Sequence, residues 1–490
     1  MKKLSVLVLF HSALSFVLAQ ETHLPRLSRT IDSIMISEKR AANIPGMVVG
    51  VIVNNRIIFK KAYGVQDIKS NTPLTNQSDF HMASVSKPFA ATAIMQLVAS
   101  GKLNLDGRLS DYLPSFKMKD DLYKNITLFN ILTHSSGIPD VTDYEWNKPQ
   151  SDAGAAERYT RSFAEKKLDF APGTQFSYSN AAFDILADLI AKVSGKSFES
   201  YIRENIFSQA KMNSSSFFLS DIPANRRALP HTINDSLREI VSPVYPYNRI
   251  HAPSSTLHSN LDDMLKWALV WLNKGSADGQ TIIDTLTWKN MLTPRRQAWP
   301  DYKVCLSWFE ANIGDNRIFF HSGGDLGFRT FVGFDPEIGT AVVLMGNNNI
   351  FNAIDPGLAI FRSILLKKPA QYSMEPIFWA LRNYLLKYGI KKVKAVYYDD
   401  LKKYPDKYAY GPNNLLTLAD WLSDRGQKQK SVDILVFCTE LEPQNPRWFE
   451  YLGDVYAGWN KKAQAVEWYK KALVLDPKNK DLKEKAAGLK

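Results

Sequence analysis

An α+β domain followed by an all-α array of helical hairpins is the fold class that this 490-residue sequence predicts. Three observations lead there. Short apolar runs of strand character occur at both ends of one stretch of chain, at 47–64 and at 304–347. Between them, from Pro88 to Leu292, lie helical patches and loops rich in Pro, Ser and Asn. Beyond residue 367 strand signals stop and long amphipathic helices begin. Strands that flank a helical insert imply one antiparallel sheet in which the N-terminal hairpin joins the later strands, flanked by helices.

In chain order, residues 1–19, MKKLSVLVLFHSALSFVLA, have the basic start, apolar centre and small-residue end of a secretory signal. The mature chain is expected to begin near Gln20, to be exported to the periplasm or beyond the cell, and to keep no stable membrane span. Ile31 to Ala42 has helical spacing. MVVGVIV (47–53), Asn54-Asn55 and RIIFKKAYG (56–64) form a hairpin signal. Strands are expected at 304–313, 317–323, 328–335 and 340–347, the last two joined by a Pro336-Glu337 turn, with a closing helix from Asn352 to Lys367. The domain thus runs from 25 to 367, a linker from 368 to 376, and a helical region from 377 to 490. In that last region Leu452, Gly453, Tyr456, Ala465, Tyr469, Ala472 and Pro477 fall at the offsets of a tetratricopeptide repeat, and Leu418, Ala419 and Pro443 stand 34 residues earlier. A looser third unit begins at Ile377.

Hydrophobic residues make up 45% and charged residues 22%, so the composition is that of a globular chain. The formal charge of +12 is concentrated in the C-terminal part, where residues 367–490 hold 23 Lys and Arg against 15 Asp and Glu. No basic run is interleaved with aromatics, so a nucleic-acid partner is not expected. Two cysteines, Cys305 and Cys438, fall in different regions and give neither a disulfide framework nor a thiolate metal site. Gly-x-Ser-x-Gly, His-Glu-x-x-His and Gly-x-Gly-x-x-Gly are all absent, which disfavours α/β-hydrolase, zinc-protease and dinucleotide-binding readings.

The chemistry-bearing candidate is Ser84-Val85-Ser86-Lys87 in HMASVSKPFAATAIMQLVASGKL (81–103). Ser84 opens a run in which Ala91, Ile94, Met95, Leu97 and Val98 recur at helical spacing, and Pro88 is tolerable in a first turn. Residues three apart share a helix face, so Lys87 can reach the Ser84 hydroxyl. Ser208-Gln209-Ala210-Lys211 has the same spacing without a sustained helix behind it and serves as an internal decoy. Tyr178-Ser179-Asn180, in a polar loop before another helix, offers a phenol for proton transfer and a carboxamide for a substrate amide. His321-Ser322-Gly323-Gly324, at a strand end, offers an imidazole that donates to a substrate carboxyl or relays protons, and backbone N–H groups that can approach a reacting carbonyl. Arg329 could supply a cation near the cleft or be only a strand-face arginine, and His134 is read as structural.

Together, in this order, these elements resemble the serine β-lactamase and penicillin-binding-protein superfamily, and more narrowly the class C β-lactamase-related serine hydrolases. The resemblance covers residues 25 to 367 and extends to GKLNLDGRLSDYLP (101–114), ILTHSSGI (131–138) and PGTQFSYSN (172–180). It implies a β-lactamase-like fold and an acyl-enzyme on Ser84, with Lys87 its base partner and Tyr178 the second acid/base. Asn180 would bind a substrate amide. His321-Ser322-Gly323 stands where many members carry Lys-Thr-Gly, so His321 and Gly323 would contact substrate, and the N–H groups of Ser84 and Gly324 would form the oxyanion hole. A histidine there departs from the lactamase pattern and suits the peptidases and esterases of the family, since it is charged only in part near neutral pH. No metal or cofactor is implied. The substrate expected is a small molecule or peptide carrying an ester or amide. An alternative is a peptide-binding or scaffolding protein that uses its repeat-like tail to hold a protein partner and carries a weakly active or inactive hydrolase domain.

Overall fold

The computed structural model describes residues 25–234, 238–366, 375–405, 407–424 and 426–488. The signal assigned to 1–19 lies outside the described residues, as does most of the linker at 368–376. The chain forms two compact units. One comprises residues 25–39, 43–232 and 239–366; the other holds the C-terminal helices together with Arg40–Ala42, Ile233, Asn234 and Arg238.

The first unit is built on a nine-stranded antiparallel sheet. Its strands are β1 (Gly46–Val53), β2 (Arg56–Asp67), β3 (Thr72–Pro73), β4 (Arg296–Trp299), β5 (Tyr302–Val304), β6 (Phe309–Ile313), β7 (Asn316–Asp325), β8 (Phe328–Asp335) and β9 (Thr340–Gly346). They lie in the order β4-β5-β6-β7-β8-β9-β1-β2-β3. The expected N-terminal hairpin is present: Asn54 and Asn55 take φ of 51° and 59°, the left-handed pair that a two-residue turn between twisted strands requires. β1 then pairs with β9, Met47 opposite Gly346 and Ile52 opposite Ala341, so the two ends of the domain meet inside one sheet.

Both faces of these central strands are covered, which is why β1 and β9 are continuous apolar runs instead of alternating ones. Phe334 stacks at 5.5 Å on Trp271 of helix Leu261–Leu272, whereas Phe331 packs against Gly357 of helix Ile354–Leu365. Positions 331 and 334 point to opposite faces of a strand, so these two helices lie on opposite sides of the sheet. Helix Lys87–Ala99 is buried nearly all round, with Phe89 stacked at 4.2 Å on Trp267. It therefore runs through the core, as an all-apolar helix should.

Residues 304–313, expected from the sequence as one strand, divide instead. Val304 ends β5, and Ser307 adopts φ 73° in a tight connection that the Cys305 N–H closes on the Trp308 carbonyl at 2.7 Å before β6 begins at Phe309. Cys305, Leu306, Ser307 and Trp308 are fully buried, so the turn has core composition and no polar signature. The preceding strand, Arg296–Trp299, was not expected. The N-terminal helix spans 25–41, six residues longer at its start than its apolar spacing indicated.

The second unit is helical. Helix Phe378–Lys403 is interrupted by non-helical backbone at Gly389; Pro412–Asp424 packs with Lys428–Leu441, and Pro446–Gly458 with Lys462–Leu475, before a last helix, Lys480–Gly488. Ala465, Tyr469, Ala472 and Leu482 form a small buried cluster. A Cβ at Gly453 would fall 2.3 Å from the Tyr469 ring, so the close crossing of that pair requires glycine. Among the described residues, no helix is long and apolar enough to cross a membrane.

Candidate active site

Ser84 sits in a 3₁₀ turn, Ala83–Ser86, that runs straight into helix Lys87–Ala99 with Pro88 in its first turn. The turn is strained and strapped. Ala83 has φ 50°, a conformation that costs a non-glycine residue about 1 kcal/mol or more and must be held by its surroundings. Three contacts hold it. The Ser86 hydroxyl donates to the Ala83 carbonyl at 2.7 Å and accepts from the Leu257 N–H at 3.0 Å, while the Thr330 hydroxyl donates to the Met82 carbonyl at 2.7 Å.

Lys87 is completely buried, and each of its three N–H donors has an acceptor: Ser84 Oγ at 3.0 Å, Asn180 Oδ1 at 2.5 Å and the Ser254 carbonyl at 2.9 Å. Burial pulls the ammonium down to about 8, against the opposing pull of the Asp184, Asp325 and Asp140 carboxylates. The amide oxygen and the carbonyl can only accept. A neutral Lys87 therefore keeps two N–H bonds on them and turns its lone pair toward Ser84.

The 172–180 loop supplies the opposite wall. Its end is fixed by Ser179, whose hydroxyl caps the short helix Asn180–Asp184, and by Asp140, which accepts from the Asn180 N–H at 2.6 Å, the Asn180 Nδ2 at 3.2 Å and the Ala181 N–H at 3.3 Å. Asp140 thus orients the carboxamide whose oxygen receives Lys87. It was not singled out from the sequence, although it lies two residues beyond the quoted ILTHSSGI. The Tyr178 ring faces Lys87 Nζ at 4.8 Å from its centroid and stacks on His134 at 4.1 Å. Burial pushes the phenol far above its ordinary value, only partly countered by a hydrogen bond with Ser84, so Tyr178 is protonated at neutral pH. His134 holds φ 51° and accepts from the Ser179 N–H at 3.2 Å through Nδ1. It is structural in the sense expected, but it is the platform under Tyr178.

β7 contributes the third wall. Its pairing with β6 ends at Phe320, leaving residues 321–325 without a partner on that edge. Register with β8 puts His321 and Gly323 on one face, opposite Val332 and Thr330, and Phe320, Ser322 and Gly324 on the other. Gly323 faces the serine turn from behind: a Cβ there would fall 2.3 Å from both the Met82 carbonyl and Thr330 Oγ1. Gly324 borders the cavity beside Ser84. His321 also borders it, but the partial charge expected from its type is absent. Burial and the neighbouring Lys87 push the imidazole down to about 3, so it is neutral. Its Nδ1 donates to the Ser322 carbonyl at 2.7 Å, and its Nε2 is buried with no partner among the described residues.

Ser84, Tyr178 and His321 meet at an opening of about 460 Å³ whose other walls include Trp299, Tyr302, Phe309, Phe320 and Ile354. The aromatic walls were not foreseen, because Trp299, Tyr302, Phe309 and Phe320 come from four successive strands, β4 to β7, whose meeting beside Ser84 the sequence does not reveal. Arg329 does not restore a cation to this opening, its Nη1 donating to the Asp325 and Phe328 carbonyls at 2.8 Å. The decoy pair is fully occupied elsewhere: Ser208 donates to the Arg203 carbonyl at 2.8 Å, and Lys211 pairs with Asp278 at 2.8 Å. Among the described residues, no group of three or more His, Cys, Asp or Glu is arranged to hold a metal ion.

A family model described as Beta-lactamase matches residues 29–365. Protein flp of Staphylococcus aureus (strain COL) is 26% identical over 325 residues, which are 65% of this chain and 63% of that protein, so the match spans less than two thirds of the relative's length. Penicillin-binding protein 4 of Amycolatopsis lactamdurans is 25% identical over 347 residues, 66% of this chain and 85% of that one. Among solved structures, an octameric penicillin-binding protein homologue from Pyrococcus abyssi has the same fold at a TM-score of 0.61 and 23% identity, covering 73% of this chain and 81% of that one. A penicillin binding protein from Bacillus halodurans gives 0.57 at 23% identity, with 67% and 98% covered. The match takes in Ser84, Lys87, Tyr178, Asn180, His321 and the glycines beside it, and on its extent the chain belongs to the beta-lactamase family, within the superfamily that includes the penicillin-binding proteins.

Proposed function

We propose that this protein is an exported serine hydrolase of the class C β-lactamase-related type, which cleaves an ester or amide through an acyl-enzyme on Ser84. The observation that carries the reading is a buried amine, drawn down to about 8, at 3.0 Å from the Ser84 hydroxyl. Neutral Lys87 takes the Ser84 proton as Oγ bonds to the carbonyl carbon. The oxyanion is received by the N–H groups of Ser84 and Gly324. As the tetrahedral centre collapses, the leaving group takes its proton from the Tyr178 phenol, which is replenished from Lys87. Water then adds to the acyl-enzyme, giving its proton to the same amine, and the acid leaves with Ser84 restored. Asn180 holds the amine through Oδ1. Tyr178 serves here as a proton donor and relay, not as the resting base, because its phenol does not ionise near neutral pH.

The test is intact-mass analysis after incubation with a fluorophosphonate. One adduct is expected on the wild-type protein and none on Ser84→Ala; equal labelling of the two would remove the assignment. The pH dependence has a definite sign. Only the neutral amine accepts the proton, so the labelling rate should rise about tenfold per pH unit below the amine's value and level off above about 8. A rate independent of pH between 6 and 9, on the order of the range sampled, would speak against Lys87 as base.

The C-terminal helix pairs are proposed to be tetratricopeptide-like repeats that hold a peptide segment of a protein partner. Residues 1–19 are proposed as the leader that carries the chain out of the cytoplasm.

A further inference from the structure

The cleft's chemistry restricts what Ser84 can accept, given the acyl-enzyme reading above. Beyond Ser84 the opening is walled by flat, apolar rings: Trp299 lies 5.0 Å from Phe309, and Tyr302 5.1 Å from Phe320. Trp299 is 42% exposed at the end of an edge strand, placed as an outer wall that a ligand would cover.

Two cations near this space are already engaged. Lys87 is buried with three acceptors, and Arg329 braces its own turn. The charges that act on Tyr302 are those of Asp355 and Asp301, with Arg362 opposing them less strongly. Neutral His321 carries its proton on Nδ1, where a carbonyl accepts it, so the nitrogen left without a partner is a lone pair. That position attracts an N–H or O–H and repels a carboxylate.

We propose that the substrate is an uncharged ester or amide whose aromatic or bulky apolar acyl group lies among Trp299, Tyr302, Phe309 and Phe320, and that a carboxylate at this end is rejected. Among the described residues that line the opening none is a cation, so a carboxylate brought there would lose its hydration with no opposite charge to replace it.

The test compares 4-nitrophenyl phenylacetate with the same ester carrying a carboxylate on its phenyl ring, using the full-length protein. The neutral ester should be preferred by about 100-fold in kcat/KM, the scale expected when a charged group is buried unpaired. Trp299→Ala should lower the preference for the phenylacetate over the acetate ester, read as the ratio of their kcat/KM values, about tenfold. Equal or better turnover of the anionic ester overturns the proposal, and if that turnover still needs Ser84 the acyl-enzyme reading survives it. Binding decides independently of catalysis. On Ser84→Ala, calorimetry should find phenylacetamide bound at least about tenfold more tightly than its ring carboxylate, and the reverse order overturns the proposal whether or not any ester is turned over.

Discussion

Lys87→Arg lowers the rate of Ser84 acylation by about 10³-fold, roughly 4 kcal/mol of barrier. The substitution keeps a cation in contact with the same acceptors and removes the one property the mechanism needs, since a guanidinium does not give up its proton in the accessible pH range. The same comparison separates a base from a charge. Were Lys87 acting only as a fixed positive neighbour of Ser84, arginine would retain most of the activity. Because the lysine slot is completely closed, Lys87→Met is the companion variant: it fits the volume, loses the charge, and should be as slow as the arginine. Fluorophosphonate labelling followed by mass spectrometry reads both, and wild-type rates in either would contradict the assignment.

Gly323→Ala should damage the domain twice. The added methyl would fall 2.3 Å from the Met82 carbonyl and from Thr330 Oγ1, and 3.1 Å from the Ala83 Cβ, so the backbone behind the serine must shift. Overpacking of this kind costs about 1–3 kcal/mol, and a displacement of about 1 Å at a reacting group costs about 100-fold in rate. Gly324→Ala is the contrast: its Cβ would meet only the Arg329 side chain, at 3.3 Å, so stability should stay near wild type. Thermal unfolding and labelling rate, measured on both, check the pair; a Gly323→Ala protein as stable and as fast as wild type would refute the packing argument.

Much of this site was legible in the sequence because its parts are local. Ser84 and Lys87 declare themselves by a spacing of three at the head of an apolar helix, and Tyr178 with Asn180 by their place before the next one. Strand order was legible where turn chemistry marked it, at Asn54-Asn55 and Pro336-Glu337. What could not be read depended on burial. The connection at 305–307 is built from core residues and resembles a strand. His321 has the side chain of a pH-sensitive group, yet its surroundings hold it neutral. Asp140, which orients the carboxamide of Asn180, lies 40 residues away from it in the chain. Gly323 was expected at the substrate and is found supporting the turn that presents the serine.

The pairing of β1 with β9 also bears on how the domain comes into being. Met47 has no strand on that side until Gly346 arrives, some 300 residues later in synthesis. Until then β1 and β2 form a ribbon with an apolar, unpaired edge, the kind of surface that recruits other unfinished chains. A chain halted anywhere before residue 340 would therefore lack the strand that closes the sheet, even though Ser84, Lys87, Tyr178 and His321 had all been made. The last strand therefore sets when the sheet can close: β1 gains its second neighbour only through a contact of very high sequence separation, the kind that forms late in folding.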